Sequence, residues 1–578
     1  MPGTPWRARL AALGATTAIL VAACGSAATP TPSPATPAPE TPPPATEAPF
    51  EALVYPETGE APCGVAPYTG NFKKITAVDA KTVVFDLCNP DVAFLSKVAF
   101  SSFAINDTAW LEEKIDPNKT ENQAIVEEVN GTGAYKLKEW KRGSEIVMEA
   151  NPDYWGTKAI PQTLIFRWSP EPAQRLTELQ AGTVDGIDNL ASTDFSIVEG
   201  DAALQLNPRA ALNVMYFGFN NSFPPFDNEK VRQAIAQGID RQRIVDNFYP
   251  PGTEVATHFT PCTIPNGCVG EEWYAYDVEK AKALLAEAGF PNGFDTKIQI
   301  RDVPRSYVAE PVAVATDLQA QLKAIGVNAE IEVQESTTFI DNADAGKLDG
   351  IHLLGWGADY PDITNFLDYH FGPGATAQFG AKFDDITTAL QEGASGANDA
   401  AREPAYVKAN NAVKLHVPMV PILHGASGVA YLADVKDTHA SPLGNEFFGV
   451  MTPGDRNQFV WLQGGEPGGL YCADESDGEA LRACEQMLEP LYGYEIGGTA
   501  AEPALAEKCE PNAELTTWTC ALRDGVTYHN GATLDANDVV LSYAVQWDAA
   551  HPLHKGRDGS FSYFPGLFGG FLNPPPAE

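Results

Sequence analysis

At 578 residues the chain exceeds what one hydrophobic core organises, so two to four domains or lobes are expected. With 44% hydrophobic and 20% charged residues its composition is ordinary for a globular protein. The charge is not ordinary: 76 Asp and Glu against 38 Lys and Arg leave a formal net charge of -38, a surface that repels nucleic acid and anionic lipid and whose plain role is solubility. The chain opens on an export signal over residues 1–23, in which Arg7 and Arg9 precede an apolar run from Leu10 to Ala23. That run is shorter than the roughly 20 residues a membrane span needs. It leads into Val21-Ala22-Ala23-Cys24-Gly25, which resembles the lipobox of bacterial lipoproteins, so that Cys24 becomes the lipidated mature N-terminus. Residues 24–50 then form a linker, because Thr29 to Pro49 is nearly all Pro, Ala, Thr and Glu and has too little apolar surface to fold. Such Pro-rich chain stays extended at about 3.1 Å per residue and acts as a tether.

From about residue 72 the pattern alternates strands and helices, as in an α/β protein. Lys81 to Leu87 predicts a strand, and Ser144 to Glu149 another after the turn at Arg142-Gly143. Pro172 to Ala181 predicts a helix stopped by Gly182, with a strand entry at Val184-Asp185-Gly186-Ile187. Asp277 caps a predicted helix through Ala288, with Gly289 past its end. Val312 to Ile325 carries apolar residues at helical spacing and stops at Gly326, after which Val327, Ala329, Ile331 and Val333 alternate as a strand. Ala345 to Ile351 echoes Ala181 to Ile187, which suits two lobes that each own a sheet.

Nine cysteines leave eight once Cys24 is set aside, an even number in an exported chain. Eight allow about 105 pairings. The short separations of Cys262 and Cys268, Cys472 and Cys484, and Cys509 and Cys520 favour local pairs, leaving Cys63 with Cys88. None lies in a CxxC, which speaks against zinc or redox chemistry.

Gly131-Thr132-Gly133-Ala134-Tyr135, Asn151-Pro152-Asp153-Tyr154-Trp155, and Phe226 to Ile235 with Ile239-Asp240-Arg241 together resemble signatures of the peptide and nickel class, family 5, of ABC-transporter extracellular solute-binding proteins. The resemblance, to the dipeptide- and oligopeptide-binding group, runs from residue 72 to 565. It implies an α/β fold of the two-lobed periplasmic-binding-protein type (type II, cluster C), with a hinge and a ligand cleft between the lobes. One segment is out of order. Leu522 to Gly531 and Asp538-Val539-Val540, preceded by Trp461 to Pro467, resemble the family's opening segment yet stand at the C-terminal end. The chain thus resembles a circular permutant, a mild change when old termini meet at the surface. Lobe I is then expected from residues 51–210 and 445–578, and lobe II from 211–444.

The sharpest local signal is Gly355-Trp356-Gly357-Ala358-Asp359-Tyr360-Pro361-Asp362 at the carboxyl end of an expected strand, where α/β lobes usually hold ligands. The resemblance implies that Asp359 holds a ligand's terminal ammonium, with Trp356 and Tyr360 beside it. Tyr216 and Asn220 open lobe II, and Glu466 lies where relatives line the cleft from lobe I. There is no HExxH, no GxSxG and no phosphate-binding glycine loop. His352, His370, His416 and His424 form no metal motif, so neither metal nor cofactor is expected. The expectation is a monomeric, lipid-anchored extracytoplasmic receptor, not an enzyme, that takes a peptide and delivers it to an ABC permease. An oligosaccharide is the alternative ligand, and a secreted hydrolase using carboxylates such as Asp359 and Asp362 is the rival of another class.

Overall fold

The computed structural model describes residues 50–119, 122–308 and 310–574. The expected export signal, the lipidation site Cys24 and all but the end of the linker lie outside the described residues.

Lobe I holds two sheets, and both are completed from the two ends of the sequence. The first is antiparallel, in the order Val54–Tyr55, Phe72–Asp79, Thr82–Leu87, Thr517–Leu522, Ala506–Pro511. Thr82–Leu87 alternates, burying Val83, Phe85 and Leu87, and the helix Ala536–Trp547 closes over that face, with Tyr543 meeting the rings of Phe72 and Phe85. Asp535 and Asp538 form a reciprocal capping box at the start of this helix. The second sheet runs Tyr135–Lys141, Glu145–Ala150, Thr163–Trp168, Gln458–Gln463, Gly186–Ile187, Ser427–Leu432, Leu204–Arg209. Gln458–Gln463 lies parallel between Thr163–Trp168 and Gly186–Ile187, with Phe459, Trp461 and Gln463 buried. The C-terminal segment therefore supplies a central strand of the lobe.

The signature motifs of the first half also lean on that segment. A Cβ on Gly131 would lie 2.0 Å from the Met487 carbonyl oxygen, and one on Gly133 would be 2.6 Å from the Met487 carbonyl carbon, so only glycine allows this approach. Gly133 N then donates to Met487 O at 2.9 Å and Tyr135 N to Gln486 O at 3.1 Å. Thr132, Tyr154 and Trp155 all donate to the buried Glu489 carboxylate, at 2.7, 2.7 and 2.9 Å.

Lobe II is built on one six-stranded sheet, in the order Glu254–Val255, Met419–His424, Asn213–Phe219, Ile351–Gly357, Phe294–Arg301, Val327–Gln334. Asn213–Phe219 is buried along its whole length, as expected of a strand covered on both faces. The helix Pro311–Ala324 packs on the sheet with Val314, Leu318 and Leu322 inward, and Asp277 caps Val278–Glu287 by accepting from Lys280 N. The echoed segments share a geometry: Gly182 and Gly346 both follow a helix in the left-handed region, at φ +68° and +65°, and each is followed by a strand, Gly186–Ile187 in lobe I and Ile351–Gly357 in lobe II.

The lobe limits differ from expectation at one end. Ser427–Leu432, expected in lobe II, pairs with Leu204–Arg209 and Gly186–Ile187. The chain thus recrosses to lobe I at residues 425–426, because Gly425 directly follows the last lobe II strand, and not near residue 444. The first crossing lies between Arg209 and Asn213. The four disulfides are Cys63–Cys88, Cys262–Cys268, Cys472–Cys484 and Cys509–Cys520, the pairing that the spacing favours.

Candidate functional site

Phe294–Arg301 and Ile351–Gly357 are parallel neighbours, so the loops that follow them, residues 302–308 and 358–366, emerge at the same edge of lobe II. Glycine at 355 lets them meet, since a Cβ there would lie 2.2 Å from the Tyr307 ring. The second loop carries Asp359. Its Oδ2 accepts from Asn365 Nδ2 at 2.9 Å, and the hydroxyl of Tyr563 of lobe I, which donates to Ser476 O at 3.3 Å, lies near it. Asn365 organises the turn, because its Oδ1 accepts from Trp356 Nε1 at 3.1 Å and from Asp359 N at 3.0 Å. Among the described residues no cation pairs with Asp359, and burial pushes its carboxyl up to about 7 despite the Asn365 and Tyr563 dipoles. The arrangement is an anionic site in want of a positive charge.

Aromatic rings surround it. Trp356 stacks on Tyr369 at 4.2 Å between centroids and meets His370 edge-on at 5.0 Å. Tyr494 of lobe I donates to Ser96 O at 2.7 Å and reaches the Asp359 carbonyl at 3.4 Å. Tyr360 turns away into the aromatic core of lobe I, where the Lys97 ammonium lies 5.6 Å over its ring, so it joins the lobes. Asp362 anchors the loop from behind: burial opposes its ionisation, but a bidentate pair with Arg402 at 2.7 and 2.8 Å holds it below the usual carboxylate range.

The other expected residues lie elsewhere. Tyr216 is 1% exposed in the lobe II core, and its hydroxyl accepts from Gln378 at 3.0 Å. Asn220 is buried and closes a turn by donating to Gly346 O at 2.8 Å. Glu466 holds the hairpin at Arg142-Gly143, accepting from Trp140 Nε1 at 3.2 Å and Gly143 N at 3.0 Å. His352, His370 and His424 are buried in lobe II, and His416 lies between Glu229 and Asp385. No group of three or more His, Cys, Asp and Glu side chains among the described residues is arranged to hold a metal. Sequence reasoning missed Asn365, Tyr369, Tyr494, Tyr563 and Arg305. The last two tyrosines join Asp359 from more than a hundred residues away, and no local pattern announces them. Arg305 lies within the loop 302–308, is exposed, and among the described residues its side chain has only its neighbour's carbonyl, Pro304 O at 3.1 Å, as a partner.

The family model for bacterial extracellular solute-binding proteins, family 5, matches residues 35–378 and 500–560, well over half of the chain. The chain belongs to this family. Family 5 members are binding proteins that act outside the cytoplasm, so this is a solute-binding protein and not an enzyme, and the hydrolase alternative falls. Among curated relatives, heme-binding protein A of Haemophilus influenzae is 29% identical over 412 residues, covering 70% of this chain and 72% of the relative. The dipeptide-binding protein of Escherichia coli is 27% identical over 385 residues, covering 65% and 70%. Two solved structures share the two-lobed α/β fold. The periplasmic binding protein DppA from Helicobacter pylori, in complex with the peptide STSA, is 26% identical with a TM-score of 0.57, covering 64% of this chain and 71% of its own. The dipeptide-binding protein from a Pseudoalteromonas species, in complex with Met-Leu, is 28% identical with a TM-score of 0.58, covering 65% and 74%. Among the described residues of the family 5 chain, no helix is long and apolar enough to cross a membrane.

Proposed function

We propose that the protein captures short peptides with a free N-terminus between its lobes and passes them to an ABC permease, while Cys24 anchors it to the membrane through the Pro-rich linker. The carrying observation is Asp359, a part-buried carboxylate at the meeting of the lobes with no cation paired to it among the described residues. A ligand ammonium supplies the missing charge, and only in the closed form, where both lobes surround it; that difference in affinity is what drives closure. Arg305, on the adjoining loop and without a carboxylate partner, supplies the complementary charge for the peptide's other end. A zwitterion with both charges at its ends fits such a pair better than a neutral oligosaccharide does, and the Trp356 face that a sugar ring would use is stacked on Tyr369. The dipeptide-binding and peptide-bound relatives support the same ligand class. The C-terminal segment is read as the family's opening segment in permuted order, a reading supported by its strands joining both lobe I sheets, at the end of one and the centre of the other.

The test is calorimetric titration with Met-Leu and with its N-acetylated form. Micromolar or tighter binding of the free dipeptide, lost on acetylation, is expected. Asp359→Ala is expected to weaken the free dipeptide by about 2 to 5 kcal/mol, the usual loss for one side of a buried charged pair. Equal affinity for both forms of the dipeptide would overturn the assignment.

A further inference from the structure

The loop that carries Asp359 continues into the short helix Leu367–Phe371, and a second carboxylate there has no role in ligand capture. The Oδ2 atom of Asp368 is buried and has no hydrogen-bond partner. Every charge around it is already matched. On its own loop is Asp362; from the helix Asp399–His416 come Arg402 and Tyr406; from lobe I come Lys97, on the helix Phe94–Val98, and Asp91 just before it; Tyr360 stands between. Both guanidinium nitrogens of Arg402 that reach this region bond to Asp362, at 2.7 and 2.8 Å. The Lys97 ammonium lies 2.7 Å from Asp91 Oδ2. Two cations are thus paired with two carboxylates, and Asp368 is left over.

The surroundings are those of the seam between the lobes. Tyr360 is packed into the lobe I core, Tyr369 lies beside Gly566, and Tyr494 of lobe I reaches the Asp359 carbonyl at 3.4 Å. Opening the lobes removes Lys97, its aromatic neighbours and the helix around Gly566 from this loop and admits water to Asp368.

We infer that closure of the lobes takes up a proton at Asp368, so that the closed, solute-holding state is favoured as pH falls and the solute is released more readily as pH rises. An unpaired carboxylate in a water-excluded seam is stable only as the neutral acid. In agreement, burial and then the Asp362 charge push the Asp368 carboxyl up to about 8, against about 4 for one open to water. The sign follows. Below about 4 the group is protonated in both states, and above about 8 it is ionised in both; between them closing binds one proton, and the closed state gains up to about tenfold over the open one per unit fall in pH. On peptide binding Asp359 does not produce this effect, since it is ionised when open and, opposite a ligand ammonium, ionised when closed; without ligand it too is raised by burial and adds to the pH dependence of closure. The inference rests on the two-lobed capture proposed above.

Two measurements test it. Met-Leu is titrated into the wild-type protein at pH 6.0 in two buffers of different ionisation enthalpy, which counts protons taken up on binding. Separately, spin labels on exposed positions of each lobe report the interlobe distance without ligand from pH 5 to 9. Uptake approaching one proton is expected, with affinity up to about 100-fold tighter at pH 5.5 than at 7.5, and a short-distance population that grows as pH falls. Asp368→Asn, which keeps the shape and removes the titration, is expected to abolish the uptake on binding and to reduce the pH dependence of the distance, the remainder coming from Asp359. Binding with no proton uptake, or uptake retained in Asp368→Asn, overturns the inference and leaves the peptide proposal standing. A pH-dependent distance that Asp368→Asn reduces, in a protein that ignores Met-Leu, upholds the inference and overturns the ligand assignment, and a distance that does not change with pH overturns the inference even if that variant does not fold.

Discussion

The side chain of Asn213 exchanges two hydrogen bonds of 2.7 Å with the backbone of Gly425, Nδ2 donating to its carbonyl and Oδ1 accepting from its N–H. These residues lie at the two crossings between the lobes, 212 positions apart in the chain. The Asn213 carbonyl is bonded in turn to the His424 ring at 2.7 Å. The crossings are therefore stitched to each other, so lobe motion must pivot about this pair. Replacing Asn213 by Ala leaves two buried backbone groups of Gly425 unpaired, a loss of about 1 to 3 kcal/mol for each. The expected outcome is a lower Tm together with a wider spread of interlobe distances in scattering or spin-label measurements.

Arg402 and Asp362 are both largely buried, with side-chain exposures of 1% and 13%. Removing one partner strands the other, so Arg402→Ala is expected to destabilise the protein by about 3 to 5 kcal/mol. Arg402→Lys keeps the charge but not the fork and should recover only part of the loss. Denaturant titrations of the three proteins check this, and a wild-type-like midpoint for Arg402→Ala would contradict it.

Carboxyls of opposite shift set the pH of greatest stability. Asp188 lies against Arg209 and Arg482 at 3.1 and 2.9 Å; burial opposes its ionisation, but the two guanidinium charges hold it down at about 2. A carboxyl lowered on folding stabilises above its ordinary value near 4 and loses that contribution as pH falls toward 2. Asp359, Asp368 and Glu479, raised chiefly by burial to about 7, 8 and 7, act in the other direction: their contribution is complete below about 4 and is lost as pH rises toward 8. Denaturation midpoints are therefore expected to peak in mildly acidic buffer, between about pH 4 and 5.5, and to fall on either side. A maximum above pH 7 would refute the assignment.

The disulfides differ in the loops they close. Cys63–Cys88 spans 25 residues and Cys262–Cys268 spans 6. Chain entropy then predicts a loss of about 3 kcal/mol for replacing the first pair by Ala and about 2 kcal/mol for the second. Equilibrium unfolding of the two double variants measures the order.

Deleting residues 458–578 removes the strand between Thr163–Trp168 and Gly186–Ile187 and the strands beside Thr82–Leu87. The remaining chain has exposed sheet edges and an uncovered core face, and is expected to be insoluble or protease-sensitive. Supplying residues 458–578 as a separate chain should restore solubility.

Local periodicity alone determined several of the elements here. The helix stops at Gly182 and Gly326, the Asp277 cap and the alternation after Gly326 all report short-range backbone preferences, and the structure has each of them. The cysteine spacing likewise favoured the pairing found, because short loops cost least to close. That the C-terminal segment joins lobe I was legible too, since Trp461 to Pro467 resemble the family's first strand. What only the tertiary structure decided is which side chains meet. Tyr216 and Asn220 lie in an apolar strand and its turn, and nothing local distinguishes a core tyrosine from one facing a cleft. Strand Ser427–Leu432 belongs to lobe I because of the partner it pairs with, not because of its own composition. Asp359, Tyr563 and Tyr494 converge through two sheets and a hinge, and the missing cation at Asp359 is a property of that convergence. Periodicity records what a residue's neighbours in sequence require, whereas burial and charge balance depend on neighbours in space.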